Sequence, residues 1–187
     1  MIVNEKYLKY CKEISDINEH MPTLYQYALE CKHITEMGVR NVVSTWAFLN
    51  AKPDTLISYD IHTSSNIKEV YTAAAEINTK FTFIQSDVLK TNIEDTDLLF
   101  IDTLHQYNQL TKELNMHANK VRKYIIFHDT SKFEYRDEYT DSLGGLWPAI
   151  ETFLEKNKNF WKLKERYTNN NGSTVIERIN ENVSSNL

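Results

Sequence analysis

The stretch Ile34–Phe48, ITEMGVRNVVSTWAF, decides how this chain folds. A short apolar run ends in an acid, Glu36, and a glycine, Gly38. An apolar helical pattern then takes over from about Ser44. That is the pattern of a strand turning into a helix at the edge of a ligand site. Turns that cradle a phosphate are rich in glycine, because the backbone must approach the ligand closely. This one has Gly38 alone, and Val42 and Val43 stand where such an approach would occur.

The rest of the chain repeats the strand–helix alternation. DTLISYD reads as a second strand ending at Asp60. In NIKEVYTAAAEI, the positions Ile67, Val70, Ala74 and Ile77 fall at helical spacing, with Asn66 as a capping residue. KFTFIQSD and TDLLFID are the third and fourth strands, and the nearly continuous apolar run of the fourth predicts burial on both faces. Tyr107, Leu110, Leu114, His117 and Val121 form one helical stripe. KYIIFHD is a fifth strand, ending at His128 and Asp129. A long charged segment, TSKFEYRDEYTDSLGG, has the length of a functional loop. LWPAIETFLEKN is helical, and NFWKLKERY and STVIERI are strands joined by the turn TNNNG.

Ahead of the first strand, Tyr7, Leu8, Cys11, Ile14 and Ile17 predict a helix over residues 4–19. PTLYQYALEC predicts a second. These two either cover the ligand edge or pack as an ordinary pair. The fold class is therefore α/β: a doubly wound, mostly parallel, seven-stranded sheet with a C-terminal antiparallel hairpin and N-terminal helices. Residues 1–32 are expected to form the helical cover and 33–180 a Rossmann-like domain. Residues 181–187 are expected to be a disordered tail.

A chain of 187 residues suits one domain. Its 21 basic and 26 acidic residues give a net charge of −5, with no global field for a nucleic acid. Cys11 and Cys31 lack metal-type spacing. No apolar run approaches the ~18 residues of a membrane span. The N-terminus reads as neither a secretory signal nor a transit peptide. These features point to a soluble, cytoplasmic protein with no membrane or nucleic-acid partner, for which a homodimer is the default assembly.

The strand ends carry the functional signal: Glu36 and Gly38, Asp60, Asp87, Asp102, and His128 with Asp129. In a parallel sheet these groups gather on one rim, where ligands bind. An acid at the end of the second strand suits ribose hydroxyls, since a carboxylate can accept both. One glycine, an acid for ribose and no phosphate cradle fit S-adenosylmethionine, a nucleoside joined to an amino acid.

EMGVRNVVSTWAF resembles the first motif of class I S-adenosylmethionine-dependent methyltransferases. It is most similar to the small-molecule and sugar O-methyltransferase group that also includes cephalosporin-hydroxylase-like proteins. LLFIDTLHQY, YIIFHDT, GGLWPAIETFL and NNNGSTVIER resemble later motifs of that group, so the likeness runs from about Ile34 to Arg178. It implies that Glu36, Gly38 and Ser44 line the cofactor's amino-acid end and that Arg40 reaches its carboxylate; a pair with a surface acid is the other reading of Arg40. Asp60 would take the ribose, and Asp87 with Val88 the adenine; an N-cap is the other reading of Asp87. Asp102 would serve cofactor and catalysis.

In metal-dependent members, acids after the fourth strand and a polar pair after the fifth hold a divalent ion. Asp102, His128 and Asp129 fall there and would suit Mg²⁺ or Mn²⁺. The alternative is a metal-free site in which Asp102 caps a helix and His128 bonds within the core. His105, at a helix N-terminus that disfavours the imidazolium, is expected to be a neutral base near pH 7, with a surface or capping histidine as the other reading. Tyr135, Tyr139 and Trp147 are candidate contacts to a small-molecule or sugar acceptor, against core packing for Trp147 and plain solvent contact for the two tyrosines.

The sequence departs from the group at Val42 and Thr103, where glycine is usual, and at KVRK, which lacks a Gly-Gly pair. A valine at 42 is expected to narrow the pocket. A non-catalytic module that has lost the cofactor, or another nucleotide-dependent enzyme on the same scaffold, remains open on sequence alone.

Overall fold

A computed structural model describes residues 2–140 and 142–179, so the tail expected at 181–187 lies outside the described residues. The apolar strands stack in parallel: β1 (His33–Met37), β2 (Thr55–Asp60), β3 (Lys80–Gln85), β4 (Thr96–Ile101) and β5 (Val121–His128). β6 (Trp161–Tyr167) and β7 (Ser173–Arg178) close the sheet as an antiparallel hairpin, with β7 against β5. The order is β3-β2-β1-β4-β5-β7-β6. The winding direction reverses beside β1, which pairs with β2 on one side and β4 on the other. The crevice outside the carboxyl ends of β1 and β4 is therefore the switch point of the sheet.

Every residue of β4 is buried, as its apolar run requires. Alternate strand side chains feed two apolar layers. On one face Ile34, Leu56, Leu98, Phe100 and Ile126 meet helices α1 (Ile2–Lys12), α2 (Met21–Ala28), α3 (Val43–Asn50) and α4 (Ile67–Glu76). On the other, Met37, Leu99, Ile101, Ile125 and Phe127 meet α5 (Tyr107–His117) and α6 (Leu146–Lys156). Residues 44–49 of α3 are all buried, because α1 and α2 pack on this helix. The Tyr27 hydroxyl donates to Glu165 at 2.8 Å, and its ring meets that of Tyr124 at 4.8 Å, fastening α2 to β6 and β5. The N-terminal helices thus complete one face of the sheet, and the segment that joins them is what reaches the rim.

Two boundaries differ from the periodicity. The first helix stops at Lys12 and leaves Ile14 95% exposed. Beyond it, Ser15 and Asn18 bond each other's backbone: Ser15 N donates to Asn18 Oδ1 and Asn18 N to Ser15 Oγ, both at 3.1 Å. Such local bonding competes with a continuing helix. Val121 fits the α5 stripe by spacing but opens β5 and is buried there. Periodicity cannot register a helix that ends before its pattern does.

The turn after β1 uses left-handed backbone three times in five residues: Gly38 (φ +87°), Arg40 (φ +44°) and Val42 (φ +61°). A Cβ on Gly38 would lie 1.9 Å from the Asp102 carbonyl oxygen, so β1 and β4 can run out side by side only with glycine here. For Val42 the left-handed geometry costs about 1–2 kcal/mol. Its side chain is buried in the apolar cluster with Val39 and Trp46, which returns about as much. The valine side chain therefore belongs to the core beneath the turn. Gly38→Ala should lower stability by about 3 kcal/mol, a fall of roughly 6–12 °C in the melting temperature for a chain of this size, read by circular dichroism. Val42→Gly should stay within about 1 kcal/mol of the parent by the same measurement.

Candidate active site

The rim at the switch point is built of acids held in different ways. Glu36 lies beneath it, fully buried at the end of β1. It accepts hydrogen bonds from Ser44 Oγ (2.6 Å), Thr45 Oγ1 (2.9 Å) and Ser58 Oγ (2.6 Å). Burial pushes its carboxyl up to about 7, against the pull of those three hydroxyls. Glu36 and Ser44 therefore brace the turn from inside and face each other rather than solvent.

Asp60, at the end of β2, accepts Val39 N–H (2.7 Å) and Arg40 N–H (2.9 Å) on one oxygen and His62 N–H (2.9 Å) on the other. It clasps the turn after β1. Of a carboxylate's roughly four lone-pair sites, three are occupied, which leaves one for a ribose hydroxyl where sequence reasoning expected two.

Asp87 accepts the Leu89 N–H at 3.0 Å and caps the 3₁₀ turn Val88–Lys90. Val88 is buried, and its carbonyl accepts from His117 Nε2 at 3.0 Å. Arg40 is the outward-facing member of the group, with Nη2 2.9 and 2.7 Å from the two Asp16 oxygens.

The centre of the rim is a cluster around His105. Its Nε2 stands 3.1 Å from both Asp102 Oδ1 and Asp129 Oδ2, and its Nδ1 2.7 Å from Glu138 Oε2. The ring stacks on Phe133 at 4.7 Å. Burial alone would lower its pKa. The hydrogen bond and charge of Asp102, with Asp129 and Glu138, outweigh burial and raise it to about 9. The neutral base expected from the helix N-terminus is thus an imidazolium at pH 7 in this arrangement, because three carboxylates override one helix end. Asp102 is held well below the usual carboxylate range: burial opposes this, and the imidazoles of His105 and His128 prevail.

His128 is 2% exposed, and neither ring nitrogen has a hydrogen-bond partner among the described residues. Its Nδ1 lies 3.5 Å from Asp102 Oδ1 and 3.6 Å from Asp129 Oδ1. Ligand atoms of Asp102, His128 and Asp129 all fall within 4.8 Å of one another. Two carboxylates and an orphaned imidazole are a donor set that a divalent cation would satisfy. Asp129 itself is left-handed (φ +59°) and accepts from Asn171 Nδ2 at 2.6 Å.

Three residues in and below the rim went unnoticed in the sequence. Glu113, on α5 and fully buried, takes the Thr103 hydroxyl (2.6 Å) and Gln109 Nε2 (2.8 Å). Its other oxygen is unpartnered, and burial raises its pKa to about 7. Glu113, Thr103, His105 and His128 line a cavity of about 10 Å³, room for a single water. Glu138 and Asp137 come from the long loop. Asp137 Oδ1 accepts the N–H groups of Tyr107 (2.7 Å) and Gly145 (2.9 Å), tying the loop to the start of α5. Only the i, i+3/i+4 spacing of Gln109 and Glu113 could have hinted at the first; the loop acids had no distinguishing pattern. Trp147 is 8% exposed and packs under the Arg166 guanidinium at 3.6 Å, while Tyr135 and Tyr139 are exposed.

Neither a family model nor a curated protein sequence matches the chain. Solved structures do. The O-methyltransferase TomG from Streptomyces achromogenes, in complex with SAM, superposes with a TM-score of 0.61 at 14% identity, over 94% of this chain and 90% of that one. The chain has the class I methyltransferase fold. A methyltransferase from Geobacter sulfurreducens gives 0.63 at 13% identity (96% and 89% covered). The N-methyltransferase NodS from Bradyrhizobium japonicum, in complex with SAH, gives 0.61 at 13% (91% of each). In this methyltransferase fold the seven-stranded mixed sheet with its antiparallel C-terminal pair is as the sequence implied. Among the described residues no helix is long and apolar enough to cross a membrane.

The His105 cluster makes stability depend on pH. A histidine raised from 6.5 to about 9 contributes fully below pH 6.5 and loses that contribution as pH rises through 9. The melting temperature should therefore fall between pH 7 and 9. His105→Asn should flatten that fall in scanning calorimetry.

Proposed function

We propose that this chain is an S-adenosylmethionine-dependent methyltransferase acting on a hydroxyl of a small molecule or sugar. The observation that carries this reading is the turn after β1. Gly38, Arg40 and Val42 hold left-handed geometry at alternate positions, and Asp60 clasps the turn at the switch point. The strained backbone of a nucleoside-binding turn persists although two of its three special positions are not glycine, and strain of this kind persists where a site needs it. The neighbours solved with SAM and SAH share the overall fold. A module that has lost its cofactor through Val42 is not favoured, since the Val42 side chain belongs to the core.

S-adenosylmethionine supplies a methyl group on a sulfonium, ready for in-line transfer to oxygen with no covalent enzyme intermediate. The chain's own residues would bind and orient. The last acceptor site of Asp60 takes a ribose hydroxyl, Arg40 the amino-acid carboxylate, and the Asp87–Val88 turn the adenine. The imidazolium of His105 holds Asp102 and Asp129 together at the acceptor side. The unpartnered ring of His128 is the group free to engage the acceptor hydroxyl or an ion. The loop carrying Tyr135, Glu138 and Tyr139 is the surface for the acceptor. Isothermal titration with S-adenosylhomocysteine should show one site per chain, and Asp60→Ala should weaken it at least about tenfold, the worth of a bond to a charged acceptor. Absence of binding to the parent protein would remove the reading.

The orphaned His128 ring favours a second feature, a divalent ion held by Asp102, His128 and Asp129. There it would lower the pKa of the acceptor hydroxyl. Mn²⁺ should then raise the melting temperature of the parent and leave that of Asp129→Asn unchanged. An equal response from both proteins would point to the metal-free arrangement.

A further inference from the structure

Residues 13–20, between α1 and α2, form a strap across the rim. Midway along it Asp16 grips Arg40: Nη2 lies 2.9 and 2.7 Å from the two carboxylate oxygens. On both sides of Asp16 the strap is tied to the turn between β6 and β7. Asn170 Nδ2 donates to the Ser15 carbonyl (3.0 Å) and Asn169 Nδ2 to Glu19 Oε2 (2.6 Å). His20 Nε2 lies 3.1 Å from the Asn169 carbonyl. The next residue of that turn, Asn171, holds Asp129. The strap therefore joins the turn after β1 to the acids of the site.

The Arg40 side chain is 67% exposed, so a ligand can reach it, whereas Asp16 is 25% exposed. Its backbone is fixed twice, by left-handed geometry and by the N–H bond to Asp60. The other cation of the rim, His105, already faces three carboxylates. Arg40 faces one, and that one comes from a segment outside the sheet.

We infer that Asp16 is a built-in competitor for the ligand carboxylate that Arg40 is proposed to hold. Asp16 presents to the guanidinium the same group that the ligand would bring. Binding then exchanges one carboxylate for another and frees the Asp16 side chain, while the ties of Ser15, Glu19 and His20 to Asn169 and Asn170 keep the strap's backbone in place on both sides of it. The inference rests on the reading of the site as one for a nucleoside joined to an amino acid.

The test compares two nucleosides by isothermal titration: S-adenosylhomocysteine, which has the carboxylate, and 5′-methylthioadenosine, which lacks the amino-acid tail. Asp16→Asn should tighten S-adenosylhomocysteine about two- to fivefold, the range an exposed ion pair commands, and leave 5′-methylthioadenosine unchanged. Arg40→Met should weaken S-adenosylhomocysteine alone, and in Asp16→Asn/Arg40→Met the gain from Asp16→Asn should vanish. If both nucleosides bind the parent and Asp16→Asn leaves the first unchanged or weakens it, the competition is overturned while the site reading stands. If neither binds any of the four proteins, the site reading fails and takes the inference with it. Thermal melts of the variants separate these outcomes from misfolding.

Discussion

Where β1 and β4 run out side by side, Gly38 passes the Asp102 carbonyl so closely that a single added carbon would lie 1.9 Å from it. On either side of that contact the ladder continues: Gly38 N–H reaches the Tyr59 carbonyl at 2.9 Å, and Asp102 N–H the Met37 carbonyl at 2.8 Å. The rest of the rim follows from this approach. It brings the turn after β1 within reach of Asp60. It sets Asp102 at the mouth, at the start of the short segment that carries His105 into α5. The loop from β5 to α6 crosses the same opening and brings Glu138 to the far side of His105.

Charge is distributed over two depths, and the depth decides its form. Glu36 and Glu113 sit below the rim, fully buried. Desolvation raises both carboxyls to about 7 despite the hydroxyl donors around them. Asp102 sits at the rim beside two imidazoles and stays ionised. Two layers of carboxyl groups within one small region would repel if all were charged. Burial suppresses the lower layer, and His105 neutralises part of the upper one. A site arranged this way keeps negative charge where a cation, a sulfonium or an ion would meet it, and lessens the charge beneath it.

Much of this was legible from patterns along the chain. The alternation of apolar strands and amphipathic helices fixed the parallel sheet, because each element must bury one face or two. The polar strand ends then had to share a rim, so Glu36, Asp60, Asp102, His128 and Asp129 could be named as neighbours before any coordinates. Asp87 was legible only as a choice between cap and contact, and it caps. The protonation of His105 was misjudged, because a helix end is visible in sequence and the approach of Asp129 and Glu138, 24 and 33 positions away, is not. Val42 was judged by a glycine's absence, although its side chain finds a place in the core.

The amino-acid sequence by itself determined the elements, their order and the identity of the groups at the strand ends, since hydrophobic period and turn chemistry are local properties. Only the tertiary structure decided which of those groups face one another, which are ionised, and that Asp16 reaches Arg40. Those outcomes depend on distances of a few ångströms and on exclusion of water, and neither is set until distant segments have packed.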